Sequence, residues 1–237
     1  MLQRSFLVTG TDTGVGKTTV ACAIAAAAAA RGCRVGVLKP LETGCRPDPR
    51  GVLIPEDAEN LRYFSGCRES IDAVCPYRFA EPLAPSVAAL RDGHEIEVDA
   101  IVDRIKDFRR RFDLTIVEGA GGLLVPIWQD TTFADLADQA ELPLLIVVGN
   151  KLGAINHAQL TAGWARAVGL ETVGYVVNSL QEKDDLAART NIDVLADLLG
   201  PPLGIMPWMG PITRTPEVRT KLAAAGAHSL AMSALMG

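Results

Sequence analysis

Residues 5–19 read SFLVTGTDTGVGKTT, and this stretch decides the fold. Phe6, Leu7 and Val8 form a short apolar run that predicts a buried strand, and a glycine-rich turn follows, ending in Gly16, Lys17 and Thr18. A turn of this kind is built to hold phosphate. Small residues let successive backbone N–H groups face one concavity, and the next helix offers its positive end. The lysine adds a point charge, and the threonine hydroxyl suits a hard cation such as magnesium. The strict motif asks for glycine where this chain has Thr11; the glycine stands one place earlier, at Gly10. Residues 20–30 are mostly alanine and predict the helix behind the loop, its small side chains allowing close packing on a sheet. Strand, loop and helix thus occur in the order that nucleoside triphosphate binding requires.

Further apolar runs at residues 34–38, 114–117, 142–148, 172–177 and 203–206 predict five more strands, apolar throughout as in a parallel sheet covered on both faces. Helical patterns fall between them, at residues 56–64, 98–112 and 184–199, with one more helix carrying Trp164. This alternation predicts an α/β fold: a doubly wound, mainly parallel sheet flanked by helices, of the phosphate-loop NTPase type, in a single domain over residues 1–237. Residues 43–55, rich in Gly, Pro and charge, predict a long loop, and residues 76–85 carry too many prolines for either regular element.

Of the 237 residues 49% are hydrophobic, which excludes a disordered chain, and the net charge of −5 gives no global attraction to nucleic acid or an anionic membrane. The five cysteines are scattered and never form a CxxC pair, the usage of reduced cytosolic thiols. The chain opens directly into its first strand and its longest apolar run is too short to span a bilayer, so a cytoplasmic protein without membrane association is expected.

Several residues stand where chemistry is expected. Glu118 closes the strand at 114–117 and is followed by Gly119, Ala120, Gly121 and Gly122, the form of a second magnesium contact beside a phosphate loop. Residues 149–157, GNKLGAINH, open a helix whose start can present backbone N–H groups to a carboxylate. His157 reads as a capping or packing residue there, and the basic cluster Lys106 and Arg109 to Arg111 as a complement to a helix C-terminus. Taken alone, Lys39 is a strand-end lysine in water and Asp57 a helix-capping acid. Trp128, Trp164 and Trp208 read as core or rim, although Trp208 ends a strand where a base could lie.

Together the segments VTGTDTGVGKTT, LKPLETG, PYRFAEPLAPS, VEGAGGLLVP, FADLA, LPLLIVVGNKLGAINHA, VGYVVN and GIMPW, in order from Val8 to Trp208, resemble the dethiobiotin synthetases. The resemblance implies an ATP-dependent ligase of biotin biosynthesis that joins CO2 to 7,8-diaminopelargonic acid and closes a ureido ring. It implies Lys39, Lys17 and Thr13 as catalytic residues, and Thr13, Gly14, Val15, Gly16, Lys17 and Thr18 as the phosphate cradle. Thr18, Asp57 and Glu118 become ligands of Mg2+, and Glu118, Gly119, Ala120 and Gly121 back the nucleotide. Asn178, Pro207, Trp208 and Met209 border adenine, and Thr43 touches the substrate. Gly153, Ala154, Ile155 and Asn156 receive the substrate carboxylate from a neighbouring subunit, which implies a homodimer with shared sites. Two positions depart from the family: Gly14 stands where well-known members carry glutamate, and Thr43 replaces a serine.

Two rivals share the fold. A switch ATPase of the partitioning or cell-division type usually carries a second lysine early in the loop, as KGG, where this chain has Gly10, Thr11 and Asp12. An amidotransferase-linked relative would need a downstream glutaminase domain with a nucleophilic cysteine, and the last cysteine here is Cys75.

Overall fold

The computed structural model describes residues 4–236. In chain order the elements are β1 (Arg4–Gly10), α1 (Lys17–Ala30), β2 (Val35–Leu38), β3 (Leu41–Thr43), β4 (Arg46–Pro47), β5 (Leu53–Ile54), α2 (Glu56–Ser65), α3 (Ile71–Val74), β6 (Tyr77–Phe79), α4 (Pro85–Asp92) and α5 (Val98–Arg111). They continue with β7 (Leu114–Gly122), β8 (Pro126–Trp128), β9 (Thr131–Thr132), α6 (Phe133–Gln139), β10 (Leu144–Asn150), α7 (Ala154–Ala167), β11 (Thr172–Ser179), α8 (Leu186–Leu199), β12 (Gly204–Met206), α9 (Pro216–Ser229) and α10 (Met232–Met236).

Six strands form one sheet in the order β12-β11-β10-β1-β7-β2, every neighbouring pair parallel. These are the six strands expected from the apolar runs. β10 is buried at all seven positions, because helices cover both faces. One apolar cluster packs α1, α2 and α9 on one face, with Phe6, Val8, Val147 and Val176 pointing into it. The other packs α4, α5, α6 and α7 on Leu7, Val117, Ile146 and Val177. Successive residues of one strand enter opposite clusters, as the period of two requires.

Helix α1 runs between the sheet and α9, and its alanines are buried almost all round. A Cβ at Gly226 of α9 would lie 2.4 Å from the Ala23 carbonyl oxygen. The alanine run is therefore a close-contact seam between two helices as well as a floor against the sheet.

Two expectations need correction. Residues 43–55 are not one irregular loop: Thr43 closes β3, and β4 and β5 pair antiparallel. Residues 76–85 do hold regular structure. Tyr77–Phe79 pairs parallel with β3, and Pro85 starts α4, where a missing N–H costs nothing. The prolines punctuate these elements and do not interrupt them. Helices α3, α4, α6, α9 and α10 fall where no helix is expected from the sequence.

Candidate active site

The chemistry gathers at the C-terminal ends of β1, β2 and β7. β1 ends at Gly10, inside the phosphate loop: a Cβ there would meet Val15 Cγ2 at 2.8 Å and the Asp12 carbonyl at 2.9 Å. This crowding requires glycine at position 10, one place before the strict motif's position. Gly16 adopts a φ of 89°, and a Cβ on it would lie 2.1 Å from Asn178 Nδ2. α1 begins at Lys17 with no side-chain cap, so the donors of its first turn have no side-chain acceptor and suit an anion.

Thr13, Gly14, Gly16, Lys17, Thr18, Lys39, Thr43, Asp57, Glu118, Ala120 and Gly121 all line one cavity of about 370 Å³, together with Thr19, Glu42, Asn60 and Ile212. A second cavity of similar size adjoins it, sharing Thr13, Thr43, Ala120 and Gly121, and is walled by Pro82, Leu83, Ala84, Pro85 and Val125. The larger hollow of about 500 Å³ at the opposite end of the strands, by Arg4, Pro143 and Thr172, brings no such set of groups together.

Lys39 is 3% exposed, so the reading of a strand-end lysine in water does not hold. Its Nζ donates to Glu118 Oε1 at 2.7 Å and to the Gly119 carbonyl at 3.0 Å, and lies 3.3 Å from Asp57 Oδ2. Burial lowers its pKa, but the Glu118, Asp57 and Glu42 carboxylates outweigh that, raise it and hold the ammonium charged. Thr18 Oγ1 donates to Glu118 Oε1 at 2.8 Å. Glu118 is fully buried, which raises its pKa against the opposing pull of Lys39. For Asp57 burial pushes the same way, yet Lys39 and the Thr18 hydroxyl outweigh it and lower the pKa. Lys17 donates to the Asp12 carbonyl, and burial with the like charge of Lys39 lowers its pKa to about 8.

The donor set fits magnesium. Thr18, Asp57 and Glu118 offer hard oxygens, and Glu118 Oε2 is buried with no hydrogen-bond partner, an acceptor that a cation would satisfy. The base side fits in the same manner. Asn178 donates through Nδ2 to the Val15 carbonyl at 2.9 Å while its buried Oδ1 has no partner. Met206 pairs in register with Asn178, which sets Pro207, Trp208 and Met209 just beyond it; none of the three lines the cavity.

The α7 start lies apart. Gly153, Ala154, Ile155 and Asn156 line neither cavity, and Gly153 and Asn156 are exposed. Lys151, two residues before Gly153, is tied to the phosphate loop by a 2.9 Å ion pair with Asp12. His157 packs near the same loop with its Nδ1 buried and unpartnered. Arg109 donates to the Ala140 carbonyl, and Arg111 pairs with Glu69 and Asp107, so the basic end of α5 is a structural feature.

Sequence reasoning missed Asp12, Glu42, Asn60, Lys151 and the 82–85 wall. Glu42 sits inside the quoted LKPLETG segment, yet no rule of spacing marks it, because its partners are backbone N–H groups of a distant helix.

An AAA domain family model matches residues 4–215. An ATP-dependent dethiobiotin synthetase BioD of Anaeromyxobacter sp. (strain K) is 42% identical over 212 residues, covering 89% of this chain and 93% of that protein. The chain belongs to the dethiobiotin synthetase family. The same name is borne by a protein of Aquifex aeolicus (strain VF5), 36% identical over 92% of this chain and 94% of its own length. Among solved structures, the septum site-determining protein MinD of Pyrococcus horikoshii aligns with a TM-score of 0.54 at 14% identity, covering 98% of this chain and 93% of that one. A ParA family ATPase of Chlorobium tepidum aligns at 0.53 and 14%, covering 99% and 97%. These two share the fold with the synthetase and no more, so the switch ATPase reading gains nothing beyond architecture. The synthetase is an ATP-dependent, carbon–nitrogen bond-forming ligase, and no helix among the described residues is long and apolar enough to cross a membrane.

Proposed function

We propose that the chain makes dethiobiotin from 7,8-diaminopelargonic acid, CO2 and ATP, within one phosphate-loop α/β domain of the cytoplasm. The observation that carries the reading is the pair of adjoining cavities: one lined by Lys17, Lys39 and three oxygen ligands, the other walled by apolar residues that suit an aliphatic chain. An amine of the substrate adds to CO2 and gives a carbamate. A carbamate oxygen attacks the γ-phosphorus of ATP, the bond to the β-bridging oxygen breaks and ADP leaves. The second amine then attacks the carbonyl carbon of the mixed anhydride, and inorganic phosphate departs as the ring closes.

In this reading Lys17 holds the β and γ oxygens, and Lys39 balances charge on the carbamate and the transferred phosphoryl group. Such fixed cations stabilise the charge that develops in phosphoryl transfer. Thr13 and Thr43 line both cavities and so border both reactants. Thr18, Asp57 and Glu118 would hold magnesium, which when bound neutralises charge on the β and γ oxygens. The unpartnered Asn178 Oδ1 suits the amino group of adenine.

The α7 start receives the substrate carboxylate from a partner subunit in this reading. Leu160 and Trp164 on α7 and Val168 at its C-cap are exposed at helical spacing, an apolar stripe that supports a homodimer through this helix. The test is phosphate release from magnesium ATP and bicarbonate with and without the diamine, with the product weighed by mass spectrometry. Diamine-dependent release with dethiobiotin formed is expected; release regardless of the diamine, with no ring product, would overturn the reading.

A further inference from the structure

Helix α2, which carries Asp57, has no cap of its own. Its N-cap residue is Pro55, which has no side-chain acceptor, so the donors at the start of the helix need a partner from elsewhere. Glu42 supplies it from β3. Glu42 Oε1 accepts the Asp57 N–H at 3.0 Å and Glu42 Oε2 accepts the Ala58 N–H at 3.0 Å, so both carboxylate oxygens are spent on adjacent donors of the first turn. Glu42 is 7% exposed; burial and the nearby Asp57 charge push its pKa up to about 7, opposed by Lys39, the two backbone donors and the positive end of the helix. A second anchor lies on the same helix, where Arg214 donates to Glu56 and Asn60.

A clamp that spans the N–H groups of Asp57 and Ala58 fixes more than the helix. It fixes the Cα from which the Asp57 carboxylate reaches to 3.3 Å from Lys39, within the same set of ligands as Thr18 and Glu118. β3 also follows directly on Lys39 and Pro40, so one short segment sets Lys39 at its start and holds Asp57 through its middle residue. We infer that Glu42 is a positioning residue that presets Asp57 for magnesium by clamping the first turn of α2, without itself being a ligand. This rests on the reading of Asp57 as a ligand of the ion.

The test measures magnesium affinity of the ATP complex by titration calorimetry, with affinity for metal-free ATP measured separately, in Glu42→Gln, Asp57→Asn and the double variant. Glu42→Gln keeps shape and one acceptor and turns an NH2 against the other backbone donor, and the Arg214 anchor remains to hold α2. Magnesium affinity is expected to fall roughly tenfold or more, as for other groups that orient a ligand, while metal-free ATP affinity stays unchanged. On the Asp57→Asn background the same change is expected to have no further effect, the signature of a residue acting through another. Unchanged magnesium affinity in Glu42→Gln while Asp57→Asn weakens it would overturn the inference and leave the ligand set standing. An effect that persists undiminished on the Asp57→Asn background would overturn it too, by making Glu42 an independent contributor. No loss in Asp57→Asn would remove the ligand reading itself and the inference with it.

Discussion

Two regions of this molecule invite an anion, and they differ in how much of the site one chain supplies. At the phosphate loop, two lysines, the side-chain oxygens of Thr18, Asp57 and Glu118 and an uncapped helix start converge on a cavity, with Lys39 and Glu118 buried. At the α7 start Gly153 and Asn156 are exposed, and none of residues 153–156 lines the cavity. The first region gathers its groups within one chain; the second, in the proposed dimer, offers half of a binding site. What connects them is the Asp12–Lys151 pair, which fixes the approach to α7 against the loop.

The sharpest break of this contrast is to remove a charge from the first region. Lys39→Gln and Lys17→Gln are each expected to lower kcat by about 10²–10³-fold with the fold retained, since both cations act mainly on the transition state. Steady-state rates beside circular dichroism check this, and near-normal turnover in either variant would withdraw its role. Next, Gly16→Ala forces a Cβ toward Asn178 at a φ of 89°, a strain of about 1–2 kcal/mol before any clash. Calorimetry is expected to show ATP binding weakened at least tenfold.

A smaller effect is expected when the second region is broken. Leu160→Glu puts a charge on the exposed stripe of α7 and is expected to yield monomers by analytical ultracentrifugation. The KM for the diamine should rise while ATP affinity holds; a monomer with normal KM would assign the carboxylate contact to the same chain.

The mildest effect is with pH. Lys17 has its pKa lowered to about 8, so below that pH it meets ATP already protonated, and above it binding must bring a proton. Affinity for metal-free ATP is expected to be flat below pH 8 and to fall by up to about tenfold per unit above it. Calorimetry on Lys17→Gln, which should lack this slope, isolates the group.

The same contrast explains what could be read in advance. All six sheet strands and the phosphate loop were legible, because apolar runs and a glycine-rich turn are local signals. The roles of Thr18, Lys39, Asp57 and Glu118 required motif context, since Lys39 alone looks like a surface lysine and only packing buries it. Glu42 and the apolar wall at Pro82 to Pro85 went unread as site residues. Glu42 is defined by a tertiary contact to α2, and the prolines signalled broken structure where they border β6 and start α4. The α7 segment was legible as a sequence and stays incomplete in space, because its ligand belongs to another copy in the proposed dimer.

That dimer makes a direct demand. Lys39→Gln ruins the first region of a chain and leaves its α7 intact. Asn156→Asp places a like charge at the α7 start and leaves the first region intact. Mixed and reassembled at subsaturating diamine, the two weak variants are expected to form dethiobiotin at about a quarter of the unmodified rate, from the one sound site of each hybrid dimer. No gain on mixing, with hybrids confirmed by native mass spectrometry, would contradict the account and leave every site complete in a single chain.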